Sequence, residues 1–143
     1  MTDLQKLQAW LKTFPKWEEG NMLYVDFTDA VPGNLGLFPK GVEEISRRED
    51  VLGNVQLRQR YHFALYRVVS GQENQEANAA WLLEFQNWLQ RQDTLGLAPK
   101  FGDDPKNAHI RAENGKFSNR RQVGSAIYVV TLTADFTKNY EVN

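Results

Sequence analysis

The chain contains no cysteine and only two histidines among its 143 residues. Without cysteine it has neither a disulfide framework nor a thiolate metal site. The histidines, His62 and His109, lie far apart and belong to no HxxxH or HExxH pattern, so a zinc site is not expected. The sequence also lacks GxSxG, GxGxxG and GxxxxGK[ST] segments. We therefore expect no metal, no cofactor and no catalytic residue.

The chain also lacks an excess of charge of either sign, and it has no long apolar run. The formal net charge is −1, which gives no overall attraction to polyanions or to anionic lipid. No segment has the uninterrupted apolar length of a membrane span, and the N-terminus has no signal-type apolar run. With 41% hydrophobic residues, the chain can bury one core. We expect a single domain over 1–143 that is made in the cytosol and does not bind a membrane.

The first third of the chain predicts a helix, a strand and a loop. Thr2 and Gln5 have the spacing of a capping box, and an apolar stripe follows that ends before Pro15. A first strand is predicted over 22–27. The segment 31–41, VPGNLGLFPKG, is rich in glycine and proline and predicts a loop.

A long hairpin is predicted next. Residues 41–48 suit a half-exposed strand, and Asp50 to Asn54 have turn chemistry. The return strand then alternates cleanly, and its core-facing residues are Val55, Leu57, Tyr61, Phe63, Leu65 and Val69. Its opposite face carries Arg58, Arg60 and His62 near the turn, so only the half of the strand next to the turn needs to be exposed to solvent on that face.

The second half of the chain predicts a second helix and further strands. A capping-box spacing at Ser70 and Glu73 begins a helix over 71–91, whose tryptophans and phenylalanine we assign to the core. A loop over 94–107, a short strand over 108–113, a basic loop or β-arm, and a long strand over 125–137 follow. The fold class is therefore α+β, a single mixed or antiparallel sheet with two helices on one face.

Two groups of polar residues are candidate sites. A histidine beside arginines suits a general base, but no nucleophile lies near His62 in sequence. The segment 106–121 has a local charge of +4, and its candidates are Lys106, Arg111, Lys116, Phe117, Arg120 and Arg121, against Glu113. Both groups are interpreted as subunit or partner interfaces. Nucleic-acid binding by the basic segment is disfavoured.

The order of these segments resembles a known family. The run GLFPKGVEEISRREDVLGNVQLRQRYHFALYRV over 36–68, followed near the end by SAIYVVTLTADFTKNY, is similar to the small minor capsid or tail terminator proteins encoded by tailed phages and prophages. The features that this chain shares with the family are a leading helix, a D-x-x-G turn, an arginine-bearing strand with the residues FALY, a helix rich in aromatic residues and a closing strand.

The resemblance implies a structural role in the virion tail without catalysis. Such subunits form a ring, typically a hexamer, which caps the tail tube and meets the head connector. A ring needs two non-identical complementary surfaces on each subunit. One hypothesis is that acidic residues of the N-terminal third, Glu18, Glu19, Asp26 and Asp29, meet the basic segment of a neighbour. A small acetyltransferase-like enzyme, for which the HHxxxD segment is missing, and a nucleic-acid-binding adaptor stay open as alternatives.

Overall fold

A computed structural model describes residues 1–17, 20–27, 31–70, 75–122 and 125–142, without the side chains of residues 70, 75, 114–122, 125 and 126. The helices are α1 (Asp3–Leu11) and α2 (Gln75–Thr94), with a short 3-10 helix over Pro105–Asn107. The strands are β1 (Leu23–Val25), β2 (Leu35–Glu49), β3 (Val55–Ser70), β4 (His109–Gln122) and β5 (Ser125–Tyr140). In the described part of the chain, no helix combines the length and the apolar character that crossing a membrane requires.

The strands form one five-stranded sheet in the order β1-β2-β3-β5-β4. The short β1 pairs with β2 in parallel, and the other three pairs are antiparallel. The predicted α+β class with a single mixed sheet is therefore confirmed.

The core lies between the two helices and one face of the sheet. Alternation places every second residue of a strand on that face, so β3 and β5 contribute opposed pairs such as Phe63 with Leu132 and Leu65 with Val130. The helical stripes meet them, and the buried helical residues are Leu7, Trp10, Leu11, Leu82, Phe85 and Leu89. Both helices thus cover the same face, here called the core face; the opposite one is the outer face.

The predicted capping box begins α1. The Thr2 hydroxyl accepts from the Gln5 backbone N–H at 3.1 Å, and the Thr2 N–H donates to the Gln5 side chain at 2.9 Å. The ring of Trp10 stacks on Trp88 with centroids 5.0 Å apart, and its indole N–H donates to Gln92 at 3.0 Å. These contacts bind α1 to α2, and they confirm the core assignment of the aromatic stripe.

The predicted hairpin turn is also confirmed. The Asp50 carboxylate accepts from the backbone N–H groups of Leu52 and Asn54 at 2.9 and 3.0 Å, and from the Asn54 side chain at 3.0 Å. These bonds lower the pKa of Asp50 against the opposing effect of burial. Gly53 adopts φ +89°, a conformation that glycine reaches without strain. The turn is held by its own side chains.

The predicted loop over 31–41 is wrong in its second part, because β2 already begins at Leu35. Proline has no N–H, so it is tolerated in a sheet only where no hydrogen bond to a neighbouring strand is lost, at an edge or a bulge. Pro39 lies at such a place, because the register slips between Pro39 and Gly41. The first strand is shorter than predicted, since Asp26 leaves the extended region at φ +57°.

Other predicted boundaries shift by a few residues. Helix α2 ends at Thr94 rather than at 91. Its predicted start at 71 and the predicted capping residue Glu73 lie outside the described residues. The predicted short strand over 108–113 continues as β4 to Gln122, and a register shift between Glu113 and Lys116 accommodates Asn114 and Gly115 within it. Strand β5 continues to Tyr140 rather than ending at 137.

Candidate functional site

The outer face collects three of the predicted site residues on one strand. Arg58, Arg60 and His62 alternate along β3 and lie opposite Thr137, Asp135 and Thr133 of β5. Directly opposed residues of antiparallel strands share a face, so the polar sides of both strands meet.

Arg60 is partly exposed and is paired across the sheet with a carboxylate of the neighbouring strand. Its Nε and Nη2 donate to the two carboxylate oxygens of Asp135 at 2.6 and 3.1 Å. The hydrogen bond from Arg60 holds the pKa of Asp135 below its usual value, although burial opposes it; the charges of Arg60, Arg58 and Arg111 act in the same lowering direction. Arg58 donates to the Thr137 hydroxyl at 3.1 Å. Both arginines therefore join strands, and their predicted interface role stays a prediction.

His62 is paired with a carboxylate that is distant in sequence. Its Nε2 lies 2.9 Å from Oε1 of Glu43, which β2 places on the outer face. Both side chains are well exposed, and His62 has no hydrogen bond to a described hydroxyl. The pair can therefore hold β2 against β3, and the described residues give it no nucleophile to activate.

The basic segment spans the 3-10 helix and the edge strand β4. Lys106 lies exposed in the 3-10 helix, whereas Arg111 is exposed on the outer face of β4, opposite Thr133. Arg111 and His62 thus flank the same residue of β5. The backbones of Lys116, Phe117, Arg120 and Arg121 belong to β4, and their side chains lie outside the described ones.

The acidic N-terminal group is mostly outside the described residues. Glu18, Glu19 and Asp29 are not described, and Asp26 lies exposed just after β1. The hypothesis that this group meets the basic segment of a neighbour stays a prediction.

Both edges of the sheet are open over long stretches. Strand β1 covers β2 only at Leu35–Leu37, and among the described residues no strand pairs with the remainder of β2. Strand β4 likewise has no described strand on its outer side. An unpaired edge presents backbone donors and acceptors to any other strand, so these two edges are candidate assembly surfaces.

A groove of about 470 Å³ runs beside the β4 edge, between β4 and α2. Asp93 sets its geometry, because its carboxylate accepts from the Ile110 backbone N–H at 3.0 Å and lies 3.1 Å from Nδ1 of His109. Most of the lining residues are polar, among them Gln86 and Glu113, and the apolar part of the lining includes Ala112 of β4 and Leu83 of α2, which is 64% exposed. A side chain entering from the edge finds apolar surface there.

The hairpin turn and Val142, which follows β5, form an exposed apolar surface, here called the hairpin tip. Val51 and Leu52 project from the turn, and Val142 lies beside them with its backbone N–H bonded to Asn54 at 2.9 Å. All three aliphatic side chains are exposed. A turn that is fixed by hydrogen bonds and exposes a group of aliphatic side chains to solvent is typical of a contact surface.

A second groove, of about 450 Å³, lies between the start of α1 and the hairpin. It is mainly apolar, and beside it the Tyr61 hydroxyl donates to Asp3 at 2.7 Å. Burial, reinforced by that bond, raises the pKa of Tyr61 to about 12, so the phenol stays protonated at neutral pH. It is therefore suited to a structural hydrogen bond.

Sequence reasoning missed the partners that define this surface. By sequence alone, Asp135 is one of the polar residues that alternate along the closing strand, and Glu43 is one of two adjacent carboxylates, Glu43 and Glu44. Only the parity of Asp135, which puts it on the polar side of β5, offered a signal. Among the described residues there is no cluster of potential metal ligands. No protein-family model matches the chain, and no curated protein is significantly similar to it.

Proposed function

We propose that this protein is a ring-forming structural subunit of a tailed phage or prophage, a tail terminator or minor capsid protein that caps the tail tube and joins it to the head connector. The observation that carries the proposal is the pair of open edges, β2 and β4, on opposite sides of one sheet. Two different edges on one subunit are what head-to-tail assembly requires.

The strand directions favour a continuous sheet through such a ring. Because β2–β3, β3–β5 and β5–β4 are all antiparallel, β2 and β4 run in opposite directions. Rotation about an axis along the strands keeps those directions, so β4 of one subunit meets β2 of the next in antiparallel orientation. A two-fold contact would instead pair like edges and stop at a dimer.

The size of the sheet is compatible with an open ring. Its four long strands, at about 4.8 Å spacing, make each subunit roughly 19 Å wide along the sheet. Six such subunits would join about 24 long strands, more than the 16–18 that already leave a channel in closed barrels. A hexamer of this kind therefore encloses a lumen.

Axial contacts are assigned to the ends of the strands. With the strands along the ring axis, the hairpin tip lies on one rim of the ring. Its exposed Val51 and Leu52 supply apolar contact area for the tail tube or the connector, which are the proposed partners. The proposed location is accordingly the virion tail, after synthesis in the bacterial cytoplasm.

The experiment is electron microscopy of tails from a phage or prophage in which this gene is deleted. A missing terminator predicts overlong tubes without heads, and the gene supplied in trans should restore the normal length. Tails of normal length joined to heads in the deletion strain would refute the proposal.

A further inference from the structure

We propose that the β4 edge of one subunit binds the segment Gly41–Glu44 of β2 from a second copy of this chain, as an antiparallel strand pair with Val42 in the groove between α2 and β4. This inference rests on the proposed function, and it deepens that function by naming the segments, the register and the partner.

Each edge has short regular stretches that suit strand pairing. In β2 the register slips between Pro39 and Gly41 and again between Glu44 and Ser46, which leaves two regular stretches after Pro39, Gly41–Glu44 and Ser46–Glu49. Only the first has an apolar residue on the core face, Val42, because Arg47 and Glu49 have those positions in the second. In β4 the regular stretch is His109–Glu113, because the register slips after Glu113. Bulges blunt an edge against general pairing. The stretches Gly41–Glu44 and His109–Glu113 thus have nearly equal lengths.

Face assignment places the side chains of Gly41–Glu44 relative to a neighbour. Val42 lies opposite Tyr61 on the core face, and Glu43 lies opposite Arg60 on the outer face. Val42 is 55% exposed although it is apolar and on the side that carries the core. When the sheet is continued into the next subunit, Val42 points to the side on which α2 and β4 form the groove.

Charge and apolar contacts agree on one register. If Glu43 lies opposite Arg111, which forms no ion pair with a described side chain, then Val42 lies opposite Ala112 and beside Leu83. A slip by one residue would turn Val42 to the outer face, and a slip by two in one direction would set Glu43 against Glu113. We assign a second copy of this chain as the occupant for three reasons. The two stretches have nearly equal lengths, β2 and β4 run in opposite directions, and Glu43 and Arg111 have opposite charges.

Engineered cysteines test this register, because the native chain has none. The double variant Val42→Cys/Ala112→Cys should give a ladder of head-to-tail disulfide-linked oligomers on a non-reducing gel after mild oxidation. Within one subunit the two positions are separated by three strand spacings, about 14 Å, which is too far for an intramolecular disulfide. The control Val42→Cys/Glu113→Cys differs by one residue and points the second thiol to the outer face. It should cross-link at least about tenfold less.

Single variants distinguish the possible symmetries. An equal mixture of Val42→Cys and Ala112→Cys should form one dimer band, which either variant alone should not form. A disulfide dimer from Val42→Cys alone would show pairing of like edges and would overturn the inference. Circular dichroism checks that each variant keeps its fold.

The outcomes separate this inference from the proposed function. Rings seen by negative-stain microscopy without the Val42–Ala112 cross-link would overturn the edge pairing and leave the proposed function standing. Cross-linked rings that do not cap tail tubes would overturn the proposed function and leave the pairing. A double variant that stays monomeric and unlinked at the concentration used for ring assembly would also overturn the pairing.

Discussion

The ion pair between Arg60 and Asp135 should stabilise the sheet measurably. Asp135→Ala removes two charge-assisted hydrogen bonds between directly opposed residues and leaves the guanidinium without its partner. The side chains are 32% and 13% exposed. The cost should therefore lie between that of a surface pair, about 0.2–1 kcal/mol, and that of breaking a buried one, about 3–5 kcal/mol. We expect a loss of about 2 kcal/mol.

The assay is urea unfolding followed by tryptophan fluorescence, with a double-mutant cycle of Arg60→Ala and Asp135→Ala. The coupling energy should be about 1 kcal/mol. The matched control is Arg47→Ala, which removes an ion pair to Glu44 whose side chains are both about half exposed and should cost no more than about 0.5 kcal/mol. A coupling energy below about 0.3 kcal/mol would refute the assignment of Arg60 to the sheet.

The pH dependence of this ion pair has a defined sign. The pKa of Asp135 is lowered in the folded chain, chiefly by the hydrogen bond from Arg60. Its contribution to stability is therefore complete above the ordinary carboxyl pKa of about 3.9 and is lost as the pH falls through the lower folded value. The stability difference between the native chain and Asp135→Asn should shrink in the same acid range. A difference that stays constant from neutral pH to below that range would contradict the pKa shift.

Three further experiments test individual parts of the structure. Gly102→Ala should lower the free energy of unfolding by more than about 2 kcal/mol, because φ is +75° and the new methyl group meets a backbone carbonyl of β5. Gly20→Ala, which has open space around it, should lower that free energy by only about 1 kcal/mol. Equal losses in urea unfolding would contradict the packing at Gly102. Leu52→Asp should leave ring size unchanged in light scattering but weaken binding to tail tubes at least about tenfold; unchanged tube binding would exclude the hairpin tip as the axial contact. Thr2→Ala should lower the free energy of unfolding by about 1 kcal/mol, because the hydrogen bond from the Gln5 N–H is lost. Thr2→Ser keeps a hydroxyl and should retain most of that stability. Equal losses in both variants would disprove the cap.

Local patterns in the sequence predicted those elements that depend on near neighbours. The capping box at Thr2, the turn at Asp50 and the alternation of β3 and β5 all follow from residues a few positions apart, and each is confirmed. The α+β class follows from their order along the chain. These features could be predicted because their main determinants are local.

The extent of the edge strands and the partners on the outer face could not be predicted in the same way. Pro39 and Gly41 are loop signals by local chemistry, and a bulge in the register with β3 is what allows them in a strand. The pairings of Arg60 with Asp135 and of His62 with Glu43 depend on strand order and on register. Those are properties of the whole sheet, and no short window of sequence contains them.

The central claim, that this chain forms a ring which terminates a tail tube, is tested most directly by adding the purified protein to growing tubes of the tube protein encoded by the same phage genome. The account predicts that elongation stops and that electron microscopy shows a ring-shaped cap at one end of each tube. Tubes that continue to lengthen with both ends bare, at protein concentrations well above that of the tube ends, would contradict it.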